Sequence, residues 1–66
     1  MIQVDKEQLK KAFFENVPVT VGGIEYAHIS ALIYRKHGGR IILQAELMDK
    51  GGNSVTIAQP EKVGLI

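Results

Sequence analysis

Sixty-six residues, 45% of them hydrophobic, with eight basic side chains against seven acidic, predict a single domain spanning residues 1–66 near the lower size limit for independent folding. A net charge of +1 gives no global drive toward nucleic acid, and the absence of cysteine excludes disulfides and thiolate metal sites. A core of this size rarely supplies more than ~3–5 kcal/mol, so self-association is predicted as the missing support.

The N-terminus carries no basic region leading into an apolar run, and no stretch approaches the ~20 apolar residues of a membrane span, so a soluble, cytoplasmic location is expected. Asp5 and Gln8 have the spacing of a capping box, and Val4 with Leu9 that of a hydrophobic staple. Leu9, Ala12 and Phe13 then form one apolar stripe, which predicts a helix from about Lys6 to Glu15 lying on a sheet. Phe14 points off that stripe, toward a sheet edge or a partner. Lys6, Glu7, Lys10 and Lys11 form the solvated side.

Asn16 stops the helix, and Val17-Pro18-Val19-Thr20-Val21 reads as a strand at an edge or with Pro18 turned outward, since proline cannot donate to a ladder. Gly22-Gly23 follows. Val19 and Val21 are odd while Ile24 and Tyr26 are even, so a two-residue turn with both glycines at positive φ matches apolar to apolar. The apolar phase then changes before Ile29, which predicts a bulge or bend near Ala27-His28 that curls the sheet.

From Ile29 to Ile57 three alternating segments predict a meander. Ile29, Ala31 and Ile33, then Ile41, Leu43, Ala45 and Leu47, then Val55 and Ile57 occupy odd positions and are read as the core face. Odd must then pair with odd, which predicts three-residue loops that set Ile33 beside Leu43 and Leu47 beside Val55, with Gly39 and Gly52 at the left-handed bulge positions. The even face offers Leu32, Tyr34, Ile42 and Met48, more apolar than a solvated face should be, and these four are the predicted homodimer interface. The last strand ends at Pro60, leaving Leu65 and Ile66 as an apolar terminus to dock on a partner. The predicted fold class is α+β, a short N-terminal helix followed by a curled, small barrel-like antiparallel β-meander of four to five strands.

Catalytic patterns are sparse. Gly22-Gly23, Gly38-Gly39 and Gly51-Gly52 all join strands and so read as hairpins, not as phosphate loops ahead of helices. His28 and His37 stand nine apart with no ligand cluster, which predicts no metal and no cofactor. Ser30 and Ser54 lack a base and orienter, and Asp49 and Asn53 flank a turn. A non-enzymatic protein is expected. Tyr34, Arg35, Lys36, His37 and Arg40 gather at one hairpin tip and are the predicted binding residues; the competing reading is that these cations guard strand ends against aggregation.

The runs Gly23-Ile24-Glu25-Tyr26, Ile29-Ser30-Ala31-Leu32-Ile33-Tyr34-Arg35-Lys36, Leu43-Gln44-Ala45-Glu46-Leu47-Met48-Asp49-Lys50 and Asn53-Ser54-Val55-Thr56-Ile57-Ala58 resemble small proteins carried by phages and mobile elements of Gram-positive bacteria. The resemblance covers about two-thirds of the chain and supplies no catalytic residues. It implies a small binding protein, of a kind that includes inhibitors of host or immune functions; joined to the self-association expected above, the leading expectation is a homodimer that acts by occupying a host protein or a small signalling ligand. The alternative is a nucleic-acid-binding small β-barrel using the basic hairpin tip.

Overall fold

Asp5 caps the helix as its spacing requires: its side chain accepts from the Gln8 amide at 2.8 Å, and the Gln8 side chain accepts from the Asp5 amide at 3.1 Å. Helix α1 (Lys6–Glu15) follows in the computed structural model, which describes residues 5–66. Val4, the outer half of the expected staple, lies outside them. Asn16 ends the helix in the left-handed conformation, φ 55°, and donates its amide to the Ala12 carbonyl. Leu9 and Ala12 are buried, Phe13 packs partly against them, and Phe14 is 76% exposed.

Among the described residues six antiparallel strands form two three-stranded sheets, so the class is α+β, although these sheets do not close into a barrel and the strand count exceeds the expected four to five. In the first sheet β1 (Val19–Val21) pairs with β2 (Ile24–Tyr26), Val21 opposite Ile24 and Val19 opposite Tyr26. Gly22 and Gly23 turn between them at φ 59° and 81°, the two-residue geometry that parity predicts. β1 starts one residue after Pro18, so the missing proline amide is not required by the ladder. That allows β1 to be central instead of an edge. Its second neighbour is β6 (Val63–Leu65), reached through a short 3-10 turn at Pro60–Lys62. Sequence reading left this tail unstructured; Val63 is instead part of the core, while Leu65 and Ile66 are 39% and 70% exposed.

The second sheet has the order β3 (His28–His37), β4 (Arg40–Met48), β5 (Val55–Ala58). Its register corrects the expected one. Ile29 lies opposite Leu47, but Ala31, not Ser30, lies opposite Glu46, so β3 holds one extra residue at Ser30. This phase change comes in addition to the expected one near Ala27-His28, where a bend at Ala27 carries the core face from Tyr26 to Ile29. Beyond it Leu32 faces Ala45, Ile33 faces Gln44, and Tyr34 faces Leu43. Odd now pairs with even, so the turn between β3 and β4 must be even too. The Gly38-Gly39 turn has two residues, both at positive φ (57° and 78°), and closes on His37 opposite Arg40. The next connection spans residues 50–53, closed by the Asp49 amide on the Ser54 carbonyl at 3.0 Å, and sets Met48 opposite Val55 and Leu47 opposite Thr56.

The core unites Leu9 and Ala12 of the helix, Val19 and Val63 of the first sheet, and Ile29, Ala45 and Leu47 of the second. Ala31, Ile33, Val55 and Ile57, expected in the core, lie on the opposite face of the second sheet with Ile42 and Met48. For Ala31 and Ile33 the cause is the residue inserted at Ser30, because a shift of one reverses the face of every later side chain of β3; Val55 and Ile57 are turned outward by the four-residue connection at 50–53.

A two-residue turn demands glycine at both positions. Replacing Gly38 or Gly39 with Val should each cost ~1 kcal/mol or more, a loss of about 4–8 °C in the melting temperature, because a β-branched side chain is poorly accommodated at positive φ. No neighbouring atom lies within 4 Å of an added Cβ at either site, so the cost is purely one of backbone conformation. A Gly38→Val variant that melts with the wild type, while Gly39→Val does not, would instead indicate a three-residue loop.

Candidate functional site

The second sheet is uneven. β3 has ten residues and β4 has nine, whereas β5 has four and pairs only with Ala45–Met48. The outer half of the β3–β4 hairpin therefore has no third strand. Every residue from 34 to 42 is exposed, and this segment forms an arm.

Strand alternation sorts the arm into two sides. Tyr34, Lys36 and Ile41 share the side that is continuous with the core; Arg35, His37, Arg40 and Ile42 share the outer side. Tyr34 is 63% and Ile41 70% exposed, since the helix and first sheet do not reach them. Arg35 Nε donates to Gln44 Oε1 at 2.7 Å, which orients the guanidinium along the outer side. A shallow concavity at the turn is lined by Lys36, His37, Gly38, Gly39, Arg40 and Ile41.

The charge is segregated. No aspartate or glutamate occurs between Tyr26 and Ala45, so the arm carries Arg35, Lys36 and Arg40 without an acidic residue on it. Among the described residues the one ion pair joins Lys50 to Glu25, at the other end of the sheet. The arm cations are thus uncompensated and available to an external anion.

All five predicted binding residues are brought to this arm, but on both of its sides: Tyr34 and Lys36 on one, Arg35, His37 and Arg40 on the other. The predicted interface set does not form one surface. Leu32 and Tyr34 lie on the core side, opposite Ala45 and Leu43, whereas Ile42 and Met48 lie on the outer side. The bulge at Ser30 separates them. The structure adds to Ile42 and Met48 the side chains of Ile33, Val55 and Ile57, which sequence reading had placed in the core. A signal was present: Ser30 interrupts the apolar run from Ile29 to Ile33.

Elsewhere, Ser30 Oγ donates to the Glu46 carbonyl oxygen at 3.2 Å and to its carboxylate at 2.7 Å, so this hydroxyl serves the bulge. His28 is half-buried beside Met48. Among the described residues no cluster of three or more His, Cys, Asp or Glu could hold a metal, and no helix is long and apolar enough to cross a membrane. A second groove, between the helix and β6, is lined by Gln8, Lys11, Ala12, Glu15, Val17 and Leu65.

Because Tyr34 and Ile41 lie mostly in solvent, truncating either to alanine should change unfolding free energy by less than ~0.5 kcal/mol in urea titrations. A loss of ~2 kcal/mol or more would place them in the core and remove them from the site. In comparisons with family models, curated proteins and solved structures, the chain matches none.

Proposed function

We propose that this chain is a non-enzymatic binding protein of the type carried by phages and mobile elements of Gram-positive bacteria. It works in the host cytoplasm as a homodimer, and it inhibits a host or immune function by occupying a host protein or a small signalling ligand. The contact element is the β3–β4 arm. The observation that carries this reading is the exposure of all residues from 34 to 42, with Tyr34 and Ile41 held in water beside three uncompensated cations. Large apolar side chains among arginines, at the end of a rigid two-stranded element, have the composition of a contact surface. The double variant Arg35→Glu/Arg40→Glu is expected to lose a host protein or anionic ligand that the wild type retains through purification. Undiminished retention would remove the arm from the binding surface.

A second reading, nucleic acid, is favoured by the charge segregation itself. A two-stranded β-ribbon fits the major groove, and Arg35, Lys36 and Arg40 would neutralise phosphates. With three phosphate contacts, log affinity for duplex DNA should fall with log salt at a slope of about −2.7, roughly 40-fold between 50 and 200 mM. Anisotropy titrations against a labelled duplex read this directly. Binding that is flat in salt, or absent at low salt, would remove this second reading.

A further inference from the structure

β3 runs for ten residues at the edge of the second sheet, and among the described residues no strand pairs with its other side. A two-residue turn is closed by a bond between its flanking residues, here the His37 carbonyl and the Arg40 amide, so the bonds to β4 recur at Arg35, Ile33 and Ala31. The Ala27 amide, donating to the Met48 carbonyl at 2.9 Å, sets the same phase from the other end. The amides and carbonyls of Leu32, Tyr34 and Lys36 therefore face the free side, a row of unpaired groups that can receive another strand. We propose that this edge pairs antiparallel with the same edge of a second copy, about a two-fold axis at Ile33, joining the two second sheets into one of six strands. The proposal rests on the reading of the chain as self-associating and names the surface responsible.

The occupant follows from the rows that this register creates. Leu32 and Tyr34 form hydrogen-bonded pairs with the partner copy's Tyr34 and Leu32, each pair exchanging two bonds. On the core side these pairs extend apolar rows: Leu43 and Tyr34 of one copy continue into Leu32 and Ala45 of the other, and Tyr34, 63% exposed in the single chain, gains a neighbour. On the outer side Ile33 meets its own copy at the axis. Arg35 comes opposite the partner copy's Ala31, whose own neighbour across the ladder is Glu46. Alanine is too short to separate them, and the two backbones stand two strand spacings apart, ~10 Å, a gap that an arginine and a glutamate span together. Ser30 Oγ holds the Glu46 carboxylate toward β3 at 2.7 Å, and Arg35 exchanges the neutral Gln44 oxygen for this charged one, the stronger bond.

Charge also selects the register. With the axis at Ile33 the two Arg35 residues stand ~14 Å apart, beyond the ~8 Å screening length at physiological salt. An axis at Tyr34 would bring them to ~8 Å, in rows that hold the partner copy's Ile33 and Gln44 and no carboxylate. An axis at Arg35 would set them directly opposite each other, and one at Leu32 would run the paired strands into the bulge at Ser30, which ends pairing. The paired segment is thus residues 31–35 of each copy. It is short, so the dimer is weak and concentration-dependent. Lys36, His37 and Arg40 lie beyond this segment and are not consumed by the pairing.

Sedimentation equilibrium on the full chain is expected to show a mass rising from 7.3 kDa toward twice that value between micromolar and millimolar concentrations. The chain has no cysteine, so one introduced at Ile33 reports the axis. Residues facing each other there form a non-hydrogen-bonded pair with Cα atoms ~4.5 Å apart, inside the ~4.4–6.8 Å that a disulfide spans. Ile33→Cys is expected to oxidise to a covalent dimer, whereas Tyr34→Cys and Ile42→Cys, off the axis, run as monomers on a denaturing gel. Tyr34→Pro removes an amide that β4 does not use, so it should keep the wild-type circular dichroism while raising the dissociation constant at least about tenfold. Arg35→Glu, which sets like charges in one row, should also weaken the dimer. A wild type that stays at 7.3 kDa throughout overturns self-association altogether and leaves the edge to a strand of a different protein. A dimer that survives Tyr34→Pro and does not cross-link through Ile33→Cys overturns this edge while leaving self-association standing. Cross-linking through Tyr34→Cys in place of Ile33→Cys, or a dimer indifferent to Arg35→Glu, overturns the register.

Discussion

Ser30 stands one residue out of step with β4, and the sheet adapts to it locally. Its hydroxyl donates both to the backbone carbonyl of Glu46 and to that residue's carboxylate, at 3.2 and 2.7 Å, which gives a polar partner to backbone that a bulge leaves without a ladder bond. Before the bulge Ile29 faces the core; after it Leu32 does, and Ala31 and Ile33 turn away. The facing of the outer half of β3 follows from that displacement. It sends Ile33 to the outer face with Ile42, requires an even number of residues in the hairpin turn, and leaves only Ala45, Leu47 and Ile29 of this sheet fully in the core.

The remainder of the core is assembled from short pieces that could not stand alone. A three-residue β1 flanked by two further three-residue strands buries Val19 and Val63, and α1 adds Leu9 and Ala12. Each fully buried aliphatic side chain contributes ~1.5–3 kcal/mol, which must offset the cost of ordering the backbone around it. The Lys50–Glu25 ion pair links the loop after β4 to the β2 edge, but both side chains are well exposed, so it contributes little. Stability margins are therefore thin, and the apolar surface left outside, from Ile33 to Ile57, is a substantial fraction of what the chain could still bury.

The helix was legible from Lys6 to Glu15 because its caps are local: Asp5, Gln8 and Asn16 each act within four residues of themselves. The Gly22-Gly23 turn was legible for the same reason, with Val19, Val21, Ile24 and Tyr26 showing opposite parity on its two sides. The meander was not. Alternation alone shows the face of a residue relative to its neighbours in one strand; the bulge at Ser30 is invisible to it while reversing every later residue of β3, and the four-residue connection at 50–53 does the same to β5. β6 was missed because Val63-Gly64-Leu65 has no strand signal of its own; β1 makes it a strand by offering an unpaired edge. At the arm, composition brought Tyr34, Arg35, Lys36, His37 and Arg40 together correctly, since they are consecutive or separated by one turn. That Arg40 shares a side with Arg35 and His37, and not with Tyr34 and Lys36, depended on the same bulge, and so did the parting of Leu32 and Tyr34 from Ile42 and Met48.

The proposed binding role builds on this geometry, for the mismatch in strand length frees the arm and the displacement at Ser30 sets which side each later side chain of β3 takes. Nuclear Overhauser contacts across β3 and β4 in the isolated protein test it most directly. The account predicts Leu32 beside Ala45, Ile33 beside Gln44 and Met48 beside Val55. Contacts joining Ile33 to Leu43 and Leu47 to Val55 would contradict it, since they would restore an unbroken register and return the outer apolar residues to the core.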